Sequence, residues 1–166
     1  MVYRPNNWNY EAGNISIIFG WPSYFVGLGP GGGALGFFDS NNVFSSDPLP
    51  NSGSSLNGSS PVFGIWYYLV FEMYNGVIGP NNILDNKMWI NGVQQNLSLA
   101  YGTPGTKDFG GGNGAIAMIP GFAPTINANN WNGINDYAMF RVYNRTLSQQ
   151  EITNNYNYYK PFYNLY

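Results

Sequence analysis

One segment of this chain carries a complete helix-start signal, and it lies close to the carboxyl end. Ser148 is followed three residues later by Glu151, the capping box in which each side chain satisfies the other residue's backbone N–H. Leu147 before the cap and Ile152 at the fourth helical position form the matching hydrophobic staple. Upstream, apolar residues come in short runs bounded by Gly, Pro and Asn, without the longer period of an amphipathic helix. Alternating strand–helix architectures need several helices, so that class is excluded. Many short strands joined by turn-forming residues leave an all-β sandwich.

Period-2 alternation predicts a strand over residues 137–143. Ala138, Phe140 and Val142 would share one face, and Tyr137, Met139, Arg141 and Tyr143 the other. Further strands are expected at 15–19, 24–28, 34–38, around Phe44, and at 62–74, 87–90, 94–101 and 115–119. Trp21-Pro22 should end the first of these, because proline cannot donate into a central ladder. Asn91-Gly92 is the strongest short hairpin signal in the chain. Residues 45–61, 75–86, 102–114 and 121–132 read as loops. The Gly-rich loop at 29–33 lacks the Lys and following Ser or Thr of a phosphate cradle. Three parts are expected: an amino-terminal arm or edge strand over 1–14, the domain proper over 15–156, and an aromatic tail over 157–166 that docks on its own domain or a neighbour.

The run Arg141-Val-Tyr-Asn-Arg-Thr-Leu-Ser148, followed by Glu151-Ile152, resembles the closing strand and helix of laminin-G-like, concanavalin A-like jelly-roll domains. Trp66-Tyr-Tyr-Leu-Val-Phe71 is similar to that family's central strand, and Lys87-Met-Trp-Ile-Asn-Gly92 to the strand and turn after it. The resemblance spans residues 15–156. It implies an antiparallel jelly-roll β-sandwich of the concanavalin A-like type with one short carboxyl-terminal helix. Such domains commonly carry an acidic residue early in the last strand; Ala138 and Met139 stand there in this chain, and Asp136 is the nearby candidate metal ligand. Relatives often bind calcium through Asp, Asn and backbone oxygens, yet Asp39, Asp85, Asp108 and Asp136 form no recognisable ligand loop, so calcium is not indicated and no cofactor is expected.

Composition narrows the function. Charged residues are 8% of the chain and the net charge is −2, with six Lys and Arg, too few and too scattered to neutralise a nucleic acid. No apolar run reaches the roughly 18 residues of a membrane span, so membrane insertion is not expected. Cysteine and histidine are absent, which removes disulfides, thiolate metal sites and triad chemistry. The resembled fold also hosts glycoside hydrolases, whose retaining members need two carboxyl groups about 5–5.5 Å apart. Glu11, Glu72 and Glu151 are isolated, Glu151 is committed to the cap, and Glu72 has no sequence-local partner, so no enzyme activity is expected.

Binding is the remaining class. Trp131 amid Asn129, Asn130 and Asn132 has the composition of a sugar platform. Tyr158, Tyr159, Phe162, Tyr163 and Tyr166 are candidate interface anchors, since buried aromatic residues dominate such contacts. Sequons at Asn14, Asn57, Asn96 and Asn144 matter only on a eukaryotic secretory route. The first residues, Met1 to Asn7, have no apolar signal-peptide core. With Met1 as the start, an extracellular-type fold without a signal fits a virion component. The expectation is therefore a non-catalytic structural or binding protein of a virion surface, capsid-associated, decoration or fibre-type. Its partners would be its own copies or other virion proteins, and glycans. The alternative is a secreted carbohydrate-binding or adhesion module from a longer protein.

Overall fold

The computed structural model describes residues 1–8, 16–21, 24–28, 34–39, 43–48, 62, 64–73, 85–101, 117–118 and 133–165. Among these, the strands in chain order are β1 (Val2–Trp8), β2 (Ser16–Trp21), β3 (Tyr24–Leu28), β4 (Ala34–Asp39), β5 (Val43–Pro48), β6 (Tyr67–Glu72), β7 (Lys87–Ile90), β8 (Val93–Gln94), β9 (Ser98–Tyr101), β10 (Ala117–Met118) and β11 (Gly133–Met139), followed by helix α1 (Gln149–Tyr163). They form two antiparallel sheets, one ordered β11-β1-β6-β7-β8 and the other β10-β2-β3-β4-β5-β9. The all-β class expected from the sequence holds at this level, as do strands at 24–28 and 87–90.

The sheets face each other across one core. Tyr3, Tyr67, Leu69, Met88 and Ile90 come from the first sheet and Ile18, Phe19, Val26, Leu35 and Phe37 from the second, all buried in one cluster. Phe71 bridges the layers, its ring 5.5 Å from Phe19 and 5.9 Å from Phe37. The Tyr137 hydroxyl donates to the Ile18 carbonyl at 3.0 Å, crossing the same gap. Period-2 alternation then places Val2, Tyr68 and Trp89 on the outer face of the five-stranded sheet. There they form a second cluster with Ile152, Tyr159 and Leu165 of the helical segment. The five-stranded sheet is thus covered on both faces. Each large side chain buried this way contributes roughly 1.5–3 kcal/mol.

The first strand corrects the sequence reading. Residues 1–8 are no arm or edge strand; β1 lies inside its sheet, between β11 and β6. Val2 pairs with Met139 and Tyr68, and Tyr3 with Tyr137 and Tyr67. Val2 and Tyr3 are fully buried on opposite faces, a demand that polar neighbours concealed. Pro5 is tolerated because its carbonyl, and with it its donor-less nitrogen, points toward Gly64, beyond the β6 ladder; the Gly64 N–H bonds that carbonyl at 2.7 Å.

The last strand differs too. β11 spans Gly133–Met139 rather than 137–143, and Val142 is 65% exposed. Its ladder stops where its partner does, since Val2 faces Met139 while the Met1 amine and carbonyl are committed to Leu69 on the other side. Between Val2 and Tyr3 the partner advances from Met139 to Tyr137, leaving exposed Ala138 as an extra residue; between Pro5 and Asn7 the extra residue is Asn6 on β1. This bulge breaks the alternation, so Tyr137 and Phe140 both pack toward the inner core while Met139 joins the outer cluster. Two smaller differences follow from pairing. β6 spans Tyr67–Glu72, and the described residues 62, 64–66 and 73 of the expected 62–74 lie outside it. The expected continuation over 94–101 divides, β8 ending the first sheet and β9 pairing with β5 in the second.

The hairpin and helix termini form as their local signals dictate. Asn91 and Gly92 take φ of 52° and 82°, the left-handed pair that a two-residue turn requires. Ser148 caps α1, the reciprocal Glu151 contact is present, and Leu147 packs on the cluster containing Ile152. The helix is longer than the expected short one. The boundary drawn at 156/157 falls inside it, and residues 157–163 are its last turns. Pro161 removes one bond from the final turn, and left-handed Asn164 ends the helix with its N–H on the Lys160 carbonyl.

Candidate interaction surface

Helix α1 sorts the aromatic residues of the carboxyl end onto two sides. Tyr159 stacks on Tyr68 with centroids 6.1 Å apart and planes at 28°, and Tyr163 lies 5.5 Å from Trp66. These two expected interface anchors therefore pack on their own sheet. Tyr156 reaches Tyr68 at 6.4 Å and sits against Gly92, where a Cβ would fall 3.3 Å from its ring. Gln149 ties the first turn to the same hairpin: its amide accepts from the Trp89 indole N–H and donates to the Gly92 carbonyl, both at 2.9 Å.

The other side faces outward. Tyr158 is 64% and Phe162 67% exposed, and their rings are 5.5 Å apart. The Tyr158 ring also meets Tyr159 edge-on at 5.0 Å, so the buried ring fixes the exposed one. Along the same side Gln150, Asn154 and Asn157 are exposed, with Gln150 donating to Asn154 at 2.8 Å. Glu151, two turns before Tyr158, lies on this side too, its charge paired with Arg145 at 2.7 Å. The neighbouring Lys160 ammonium instead turns over the Tyr156 ring at 5.4 Å.

A charged cluster lies where β1 meets β11. The Asp136 carboxylate accepts from Arg4 Nε at 2.9 Å, from Arg4 Nη2, and from Asn6 Nδ2 at 2.6 Å. These bonds, Asn6 first and Arg4 second, hold its carboxyl below the usual range. The Arg4 guanidinium lies 4.7 Å over Trp66, which links this cluster to Tyr163. Asp136, singled out as a metal ligand, is thus engaged by a cation and an amide. Among the described residues no group of three or more His, Cys, Asp or Glu is placed to hold a metal ion. Glu72 is paired with Lys87 at 3.1 Å across the β6–β7 ladder. Arg145, then Ser148, draw the Glu151 carboxyl down to about 2.

Burial dominates elsewhere. The Met1 amine donates to the Leu69 carbonyl at 2.7 Å inside the sheet; burial, and then the Arg141 charge, lower its pKa from 8.0 to about 5. Burial pushes the Tyr67 and Tyr68 phenols up to about 12, and raises Tyr3 and Tyr137 as well.

Trp131, Asn129, Asn130, Asn132 and Tyr166 lie outside the described residues. Arg4, Asn6 and Gln149 were not singled out from the sequence. The first two lie 132 and 130 residues from Asp136, and no local pattern marks them. Gln149 was visible only as the first residue after the cap. Compared with known proteins, the chain matches no family model, no curated protein and no solved structure.

Proposed function

We propose that this is a non-catalytic structural and binding protein, a sandwich of the jelly-roll type, that assembles with its own copies or other particle proteins through the outward side of α1. Its proposed setting is a virion surface, as a capsid-associated, decoration or fibre-type component. The observation that carries the reading is the exposed pair Tyr158 and Phe162 on the outward side of α1. Two adjacent aromatic rings held outward by a rigid helix offer large contact area at small entropy cost. With charged residues at 8%, little electrostatic repulsion keeps copies apart. The alternative, a secreted carbohydrate-binding or adhesion module, is favoured by Trp131 among Asn129, Asn130 and Asn132.

Sedimentation at micromolar concentration tests the assembly. The full chain is expected to associate, and Tyr158→Ser with Phe162→Ser to weaken association by about tenfold or more. Raising salt from about 0.05 to 1 M should change it little, because the Tyr158 and Phe162 rings carry no charge to screen. A full chain that stays monomeric throughout refutes assembly, and glycan binding by that monomer selects the alternative.

A further inference from the structure

We infer that Asn91 is a site of spontaneous deamidation, held in check by the contacts of α1 with the β7–β8 turn, and that its isoaspartate product frees the turn from the helix. The step takes only water. The Gly92 nitrogen bonds to Asn91 Cγ, and the Asn91 amide nitrogen leaves as ammonia, carrying the Gly92 amide proton. Water then opens the five-membered imide at either carbonyl, leaving aspartate or isoaspartate. Glycine suits the attacking position because it has no side chain to crowd the ring. Five such dipeptides begin at Asn57, Asn75, Asn91, Asn113 and Asn132, and at Asn91-Gly92 both residues are described.

The folded turn opposes ring closure. Asn91 stands in the left-handed region at φ 52°, whereas the imide ring forces ψ at that residue far from the small positive values of that region. Its carboxamide is engaged with β6: Oδ1 accepts from the Tyr68 N–H at 2.9 Å, while the Asn91 N–H donates to the Tyr68 carbonyl at 2.8 Å. Gly92 is held by α1. Gln149 Nε2 donates to its carbonyl at 2.9 Å, and the Tyr156 ring lies 3.3 Å from where a Cβ would stand. Deamidation therefore proceeds through brief openings of the turn, at the open-chain rate multiplied by the fraction open.

The two products differ in what they do to the helix. Aspartate keeps the main-chain length and an oxygen to receive the Tyr68 N–H, so the turn survives. Isoaspartate routes the main chain through Cβ and Cγ, adding one carbon. A two-residue turn set by φ of 52° and 82° does not absorb that insertion, so Gly92 leaves the Gln149 amide and the Tyr156 ring.

The full chain is incubated at mildly alkaline pH, with and without urea, and isoaspartate is mapped by peptide after methyltransferase labelling. In urea all five Asn-Gly sites should react at similar rates. Without urea Asn91 should react about tenfold or more slowly than with it, and Gln149→Ala should recover part of that difference. Equal rates in the two solvents, or no reaction at Asn91 in either, overturn the site. An unchanged rate in Gln149→Ala overturns control by the helix. The chain bearing isoaspartate at 91, once separated, should show faster amide exchange in the first turn of α1, and Asn91→Asp should not. Unchanged exchange in the isoaspartate chain overturns release of the turn.

Discussion

With a free amine on residue 1, stability should climb between pH 5 and pH 8. The Met1 amine has its pKa lowered from 8.0 to about 5 by burial. In that interval the unfolded chain binds a proton that the folded chain does not, so stability rises with pH across it. At about 1.4 kcal/mol per pH unit the gain is about 4 kcal/mol, complete above pH 8 and absent below pH 5. That is a large part of the 5–15 kcal/mol typical of a domain. The window is clean, because the chain has no histidine or cysteine and no side chain ordinarily titrates there. Glu151 and Asp136, with lowered pKa values, contribute stability that is lost only as pH falls through the acid range. Tyr67 and Tyr68, raised to about 12, withdraw stability only above pH 10, where the unfolded phenols ionise first. Urea denaturation followed by tryptophan fluorescence from pH 4.5 to 9.5 reads the curve, and acetylation of the amine should flatten it. A flat profile between pH 5 and 8 in the unmodified chain would refute the buried amine.

The remaining predictions concern α1. Gly92→Ala should lower stability by about 1–2 kcal/mol for its positive φ, and by a further amount because the new Cβ meets the Tyr156 ring at 3.3 Å. Gly64→Ala, at a similar φ with open space around it, should cost the backbone share alone; equal losses in denaturation curves would show that α1 does not rest on the hairpin. Ser148→Ala should cost about 1 kcal/mol through loss of the cap. Amide hydrogen exchange in the first turn of α1 should rise with it, and an unchanged rate would show that the cap is idle.

Features carried by a few adjacent residues were legible in the sequence. The capping box, the staple and the Asn91-Gly92 turn each depend on neighbours, and each forms. Features that depend on distant partners were not. β1 reads as polar because Arg4, Pro5 and Asn6 follow the two residues that are buried on opposite faces, and its partner β11 lies far along the chain. The Ala138 bulge defeated the alternation that predicted which side of β11 faces inward. At the interaction surface, composition marked the aromatic residues but not their sides. The helical period turns Tyr156, Tyr159 and Tyr163 toward the sheet and Tyr158 and Phe162 away, and that becomes definite only once the staple residue Ile152 is docked.

The position of β1 also has a consequence for biosynthesis. β1, made before every other described strand, fills the gap between β6 and β11, and its Arg4 waits for an Asp136 made 132 residues later. At about 5–20 residues per second that wait is on the order of ten seconds. Through it, the edge of β1 that pairs with β11 stays open. A nascent chain with few charges has little electrostatic protection against its polysome neighbours while that edge is open. Completion of this fold is therefore timed by the emergence of β11 and α1 rather than by growth outward from β1.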